Sequence, residues 1–403
     1  MSSLYIVLLG LLLVFLLYGD MRARQNAPME PEKAAVLKYE KWPTWKTIEP
    51  PDTRIRVLWV DQDYVPWVNA GSEICTHTIN KFLMTKPYKW DVWVATPGYP
   101  GKKTFENIRC FDLNDTSTLL EVLKSTTILQ SHSYAYRNNL MYISRRTGIP
   151  FVGWVHSDNY VTSVNRDTAS WNDPRIKGWQ WTAFNSKSLK NKVGVDVPNS
   201  EIFIPVVDYR EYGIDKAQQK RQYVLLSNVN SNKGGHLLIQ LAKACPDIEF
   251  MGVIGGYRKQ IIDKTLPNLT YIPHTNRIKD IYSKAWVVLM PSWQETWGRT
   301  AVEAMSSGIP VIVSPTPGLR ECCGDAAVYI DRNNLEGWIT TLRKLKEDSE
   351  FYNKRCKLAM ERARTLDPKP VLESIEDWLE NRVVPSGKRG RELTAFEKNL
   401  LFR

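Results

Sequence analysis

The chain has 403 residues and a mass of 46.5 kDa, too long for one ordinary core, so two compact domains with extensions are expected. Hydrophobic residues at 43% and charged residues at 24% match globular averages, which excludes a wholly disordered chain, a collagen-like repeat and a multi-span membrane protein. A formal net charge of +11 suits phosphate-bearing partners without choosing among nucleotides, nucleic acid and anionic lipid.

Residues 1–19 contain no charged side chain, and Leu4 to Tyr18 is apolar on every helical face. At 1.5 Å per residue such a helix is roughly 28 Å long, close to the hydrocarbon thickness of a bilayer. No basic residue precedes the apolar run and no small-x-small cleavage site follows it, so a retained single-pass anchor is expected rather than a cleaved signal peptide. Arg22 and Arg24 follow directly, which places the body on the cytosolic side by the positive-inside tendency. Residues 20–53, punctuated by Pro28, Pro31, Pro43, Pro50 and Pro51, read as a tether.

The body alternates short apolar strands with helix-length stretches. Arg54–Val60 reads as a buried strand and Ser72–Leu83 as a helix; strands follow at Asp91–Ala95, Thr127–Gln130 and Pro150–Val155. The pattern restarts at Tyr223–Leu226, with a helix over 235–244 and strands at Ile248–Ile254 and Trp286–Met290. Alternation of this kind predicts α/β architecture with parallel sheets, here two Rossmann-like doubly wound domains, 54–210 and 211–365, facing a cleft where such sheets bind ligands. Residues 366–403 read as a C-terminal helix, Lys369–Val383, and a basic tail containing Lys388, Arg389 and Arg391. The six cysteines form no C-x-x-C pair and are read as reduced and mostly buried. Asn114-Asp115-Thr116 and Asn268-Leu269-Thr270 are sequons, useful only as assay handles.

The segment Pro291-Ser292-Trp293-Gln294-Glu295-Thr296-Trp297-Gly298, continuing to Glu303, Gly308 and Pro310, reads as strand, loop, helix, stop, strand. Its backbone N–H groups at Thr296, Trp297 and Gly298 suit a phosphate at a helix N-terminus. Glu295 in the loop and Glu303 one to two turns into the helix offer acceptors for sugar or ribose hydroxyls; a capping acid and an exposed helical Glu are the bland alternative.

This segment resembles the E-x7-E motif of retaining glycosyltransferase family 4, the group 1 glycosyltransferases of the GT-B fold, and Thr316-Pro317-Gly318-Leu319-Arg320-Glu321 resembles the family's Gly-Leu-x-Glu loop. The resemblance implies that Glu295 meets the donor sugar and Glu303 the nucleotide ribose. Leu225 to Gly235 resembles the family's Gly-Arg…Lys-Gly loop, which implies a diphosphate contact for Lys233; Asn228 stands where the family usually has Arg. Asn69-Ala70-Gly71-Ser72-Glu73 resembles a degraded Gly-Gly loop in which Gly71 keeps the phosphate approach. Val155-His156-Ser157-Asp158 resembles the family's strand-end histidine, placed to meet donor sugar and acceptor. His132, at the preceding strand end, is an acceptor-side candidate, and Arg299 reads as a helical surface residue.

The implied activity is metal-independent transfer of a sugar, of hexosyl type, from a nucleoside-diphosphate sugar to a glycan or lipid-linked hydroxyl with retention. No cofactor and no nucleic-acid partner are expected, since the basic residues are dispersed and no RNA or DNA module is present. Trp154, Trp171, Trp179 and Trp181 offer flat faces to a carbohydrate acceptor, with Trp179 the named candidate. Two alternatives remain open at this point: a membrane-tethered inactive scaffold of the same fold, and a GT-A enzyme holding a metal through Asp61 and Asp63.

Overall fold

The computed structural model describes residues 43–45, 48, 54–157, 180–193, 196–214, 221–255, 258–275 and 277–387. The expected anchor, most of the tether, Asp158, Trp171, Trp179 and the basic tail lie outside the described residues. No described helix is long and apolar enough to cross a membrane.

The first sheet has eight strands: β1 Ile55–Val60, β2 Trp90–Thr96, β3 Lys103–Phe105, β4 Ile108–Asp112, β5 Ile128–Ser131, β6 Phe151–Val155, β7 Gln180–Phe184 and β8 Ser200–Ile202. Their order is β3-β4-β2-β1-β5-β6-β7-β8, and every pair is parallel except β3 with β4. All six residues of β1 are buried, as a strand covered by helices on both faces requires. The chain runs outward from β1 through β2 and β4, then returns to β1's other side at β5. The strand order therefore reverses between β1 and β5, where doubly wound sheets open a crevice at their carboxyl ends.

The second sheet, β9 Tyr223–Ser227, β10 Glu249–Val253, β11 Leu269–Ile272, β12 Ala285–Met290, β13 Val311–Val313 and β14 Val328–Tyr329, is wholly parallel in the order β11-β10-β9-β12-β13-β14. Its reversal falls between β9 and β12. The loop with Lys233 follows β9 and the loop with Glu295 follows β12, so the strand order brings the two motifs together. The expected α/β architecture of two doubly wound sheets is what the chain adopts.

The helix Pro368–Trp378 and the turn Leu379–Val383 cross back to the first sheet. Leu372, Ile375, Trp378, Leu379 and Val383 share one core with Ile55, Trp90 and Trp181. Glu376 accepts a bond from Trp90 Nε1 at 3.0 Å and pairs with Lys86 and Lys89. Trp181, expected to offer a sugar-binding face, is instead packed edge-on against Trp378 at 5.7 Å and donates to Ser386. Trp154 is likewise buried, with its Nε1 bonded to Gln130 Oε1 at 2.6 Å. Large aromatic side chains on central strands serve the core because that is where the most area leaves water.

All six cysteines are free and five are buried, as read from their spacing. Asn268 is buried too, with Nδ2 donating to the carbonyls of Ala242, Cys245 and Ile248 at 3.0 Å each, which removes this sequon as an assay handle.

Candidate active site

In the second domain, β9 ends at Ser227 and the chain turns through Asn228 in the left-handed region at φ 65°, a conformation that Asn tolerates well. Asn228 Oδ1 accepts from Asn230 Nδ2 at 2.9 Å and Gln260 Nε2 at 3.2 Å, and its side chain fills the space a Cβ on Gly255 would need. Asn228 thus ties the β9 loop to the β10 loop. Gly234 follows at φ 105°, where a Cβ would lie 2.3 Å from Pro291, so only glycine lets this loop lie against the loop after β12. As a result Lys233 Nζ pairs with Glu295 Oε2 at 2.5 Å, and Ser292 Oγ donates to the same oxygen at 3.2 Å.

Gly318 brings the next loop equally close: a Cβ there would sit 2.3 Å from the carbonyl oxygen of Glu295. The helix after the motif starts at Arg299, with Thr296, Trp297 and Gly298 preceding it. The Trp297 indole is buried in the second-domain core, which leaves only its backbone for a ligand.

Glu303 is buried as well, and both its oxygens are held: Oε1 by Arg299 Nε at 2.8 Å and Oε2 by the Tyr282 hydroxyl at 2.9 Å. Arg299, expected on an exposed helical face, is a correction. Its side chain is 12% exposed, and it also donates to the Val206 carbonyl at 2.7 Å and to the Tyr212 hydroxyl at 3.1 Å. The chain between the sheets folds over the first turn of this helix, so an exposed position becomes an interior one. The approach of Gly71 completes the picture: a Cβ there would lie 3.9 Å from Arg299, which puts the first-domain helix Gly71–Leu83 against the second domain.

In the first domain, three strand ends side by side in the sheet carry the polar groups. Asp61 follows β1, His132 follows β5 and His156 follows β6. Asp61 is fully buried; its Oδ1 accepts from Ser131 Oγ and from the amides of His132 and Ser133 at 2.8 to 3.1 Å, and Oδ2 lies 3.1 Å from His132 Nδ1. His132 Nδ1 also meets Thr76 Oγ1 at 3.1 Å, and Nε2 meets Glu73 Oε1 at 3.4 Å. Burial opposes the charge on His132, yet Asp61 and Glu73 raise it well above the ordinary histidine value. Both ring nitrogens of His132 are engaged within its own domain, and the ring joins β1, β5 and the helix behind Gly71. Asp63 is pushed up to about 6 by burial and by Glu73 and Asp61. Asp61 serves this network, and among the described residues no cluster of ligands fits a metal ion.

His156 is of the opposite kind. Burial and the neighbouring His132 charge lower it to about 3, so it is neutral at physiological pH. Its ring stacks on Trp154 at 6.3 Å and meets His132 edge-on at 5.8 Å. Its carbonyl accepts from Thr296 Oγ1 at 2.8 Å and from Asn185 Nδ2 at 3.2 Å, and Asn185 also donates to Thr296 Oγ1 at 3.0 Å. Glu321 adds a second bridge between the domains, its two oxygens accepting the amides of Lys187 and Ser188 at 2.8 Å each at the start of the helix Lys187–Val193.

The structure therefore sets the His156 carbonyl on Thr296, next in the chain to Glu295 and its partner Lys233, and brings Gly71 close to Arg299. It places His132 and Glu303 in buried networks, and Trp179 lies outside the described residues. Asn185 and Glu73 escaped the sequence reading, although Asn185 at the end of β7 follows the same strand-end rule that picked out His156.

A family model described as "Glycosyl transferases group 1" matches residues 213–362. The O-antigen chain mannosyltransferase RfbU of Salmonella typhimurium is 23% identical over 170 residues, 40% of this chain and 48% of that protein. Sulfoquinovosyl transferase SQD2 of Arabidopsis thaliana is 27% identical over 208 residues, 49% of this chain and 40% of that one. The matches thus span about half the length of these relatives or less. Among solved structures, Anabaena Alr3699/HepE in complex with UDP and glucose superposes with a TM-score of 0.66 over 81% of this chain and 99% of that one, at 15% identity. That likeness establishes the two-domain GT-B fold, which leaves no place for the GT-A alternative. Residues 213–362, which carry the Lys233, Glu295 and Glu303 motifs, are thus similar to the group 1 glycosyl transferases.

Proposed function

We propose that the chain is a retaining, metal-independent glycosyltransferase of family 4 type. It moves a hexosyl group from a nucleoside-diphosphate sugar to a hydroxyl of a glycan or lipid-linked acceptor. Residues 1–19 anchor it to a membrane, with the catalytic body on the cytosolic side. The observation that carries this reading is the hydrogen bond from Thr296 Oγ1 to the His156 carbonyl, which sets the neutral histidine of one domain beside the Glu295 loop of the other.

In this reading the bond between the anomeric carbon and the leaving phosphate oxygen breaks, and negative charge develops on the diphosphate. The Lys233 ammonium and the amides of Thr296, Trp297 and Gly298 stabilise it, and Gly71 lets first-domain backbone approach from the other side. The acceptor oxygen bonds to the anomeric carbon on the same face, and its proton passes to the leaving phosphate oxygen, so no protein nucleophile is needed. His156, held neutral, exchanges hydrogen bonds with sugar and acceptor hydroxyls. Glu295 orients the donor sugar, and Glu303 reaches the ribose by exchanging one of its two buried partners.

The test is nucleotide release by the full-length protein from a panel of UDP-, GDP- and ADP-sugars, with Glu295→Ala, Glu303→Ala and added EDTA. Release from one donor, insensitive to EDTA and lost in both variants, is expected. Absence of both release and binding across the panel would favour the inactive scaffold.

A further inference from the structure

The Lys233–Glu295 pair, at the proposed donor site, has side-chain exposures of 20% and 15%, and its anionic half is further anchored by Ser292 Oγ at 3.2 Å. The two residues called on to hold different ends of one ligand hold each other. A diphosphate that recruits Lys233 must take it from Glu295. It then leaves a half-buried carboxylate beside a new anion, which is unfavourable on both counts. A bare nucleoside diphosphate offers nothing in return. A nucleotide sugar brings hydroxyl donors that replace the ammonium at Glu295.

Building on the donor-site reading above, we propose that the Lys233–Glu295 ion pair discriminates intact nucleotide sugar from spent nucleoside diphosphate. Glu295 lowers the affinity for the bare diphosphate, and the polyhydroxylated sugar restores it. Once the sugar has left, re-formation of the pair withdraws Lys233 from the diphosphate and favours its departure. Glu295 is then a specificity-determining residue as well as a sugar contact, and its removal has opposite effects on the two ligands.

The experiment is isothermal titration of the full-length protein with UDP, GDP and ADP and with UDP-glucose, GDP-mannose and ADP-glucose. The wild type is expected to bind a sugar form more tightly than its diphosphate. Glu295→Gln, which keeps the side chain's size, is expected to bind that diphosphate about threefold to tenfold more tightly and to lose the preference for the sugar form. Glu295→Ala is expected to do the same by truncation, which covers the case in which one variant fails to fold. In a Lys233→Met background, Glu295→Gln is expected to bring no gain, because the competition runs through Lys233. Unchanged or weaker diphosphate binding by a folded Glu295→Gln or Glu295→Ala would overturn this inference alone, as would a gain that persists without Lys233. Failure of the wild type to bind any of the six nucleotides would overturn the donor-site reading and this inference with it.

Discussion

Removal of the Arg299 guanidinium tests whether the domain junction is built as described. Its three nitrogens reach the Val206 carbonyl at 2.7 Å, the Tyr212 hydroxyl at 3.1 Å and Glu303 at 2.8 Å, and the ion pair is about nine-tenths buried on both sides. Arg299→Ala leaves Glu303 in the interior with only the Tyr282 hydroxyl. Loss of one partner of a buried pair costs about 3–5 kcal/mol, whereas replacement of both by apolar side chains of similar volume costs far less. At a urea slope of about 2 kcal/mol per molar, the midpoint of the second-domain transition should fall by roughly 2 M, and Arg299→Met with Glu303→Leu should recover most of it. The assay is urea unfolding followed by far-ultraviolet circular dichroism. A loss of under about 0.5 kcal/mol for Arg299→Ala, the value of an ordinary surface substitution, would refute the burial of the Arg299–Glu303 pair.

Glu321→Ala removes two charged caps from the helix at Lys187 and should loosen the domain junction by about 1–2 kcal/mol, read as faster proteolysis between the sheets and a larger radius of gyration. His156, lowered from 6.5 to about 3, contributes stability that is complete above 6.5 and lost as pH falls toward 3; His156→Asn should flatten the unfolding free energy across that window. His132, raised by Asp61 and Glu73, acts in the opposite sense: its contribution is full below 6.5 and declines as pH rises through its elevated value, a slope that His132→Gln should remove. If the body faces a secretory lumen instead of the cytosol, a glycan should appear on exposed Asn114 in a microsomal translation assay and never on Asn268; modification of Asn114 would reverse the expected orientation.

The elements that carry the candidate residues were legible in the sequence because each is local. The strand, loop, helix and stop around Glu295, the glycine before a helix at Gly71 and the strand-end His156 are each written within about twenty residues. Reversal of strand order brings Lys233 to Glu295 within the second sheet, and Thr296, Asn185 and Glu321 join that sheet to the first. What was not legible depends on distant chain. Arg299 occupies an ordinary first-turn position, and only the linker at Val206 and Tyr212 makes it interior. The helix Pro368–Trp378 has an apolar stripe, but a stripe does not say which domain covers it. His132 looked like a twin of His156 because both end strands; the difference is that Asp61 and Glu73, from β1 and the first helix, converge on one ring and not on the other.

The most direct test of the composite site is single-turnover release of nucleotide from its donor by the wild type, His156→Ala and Lys233→Ala. The account predicts a fall of at least about 100-fold in each variant, since groups from both domains act on one transition state. Release by His156→Ala at the wild-type rate, with Lys233→Ala inactive, would mean that the second domain works alone and would contradict it.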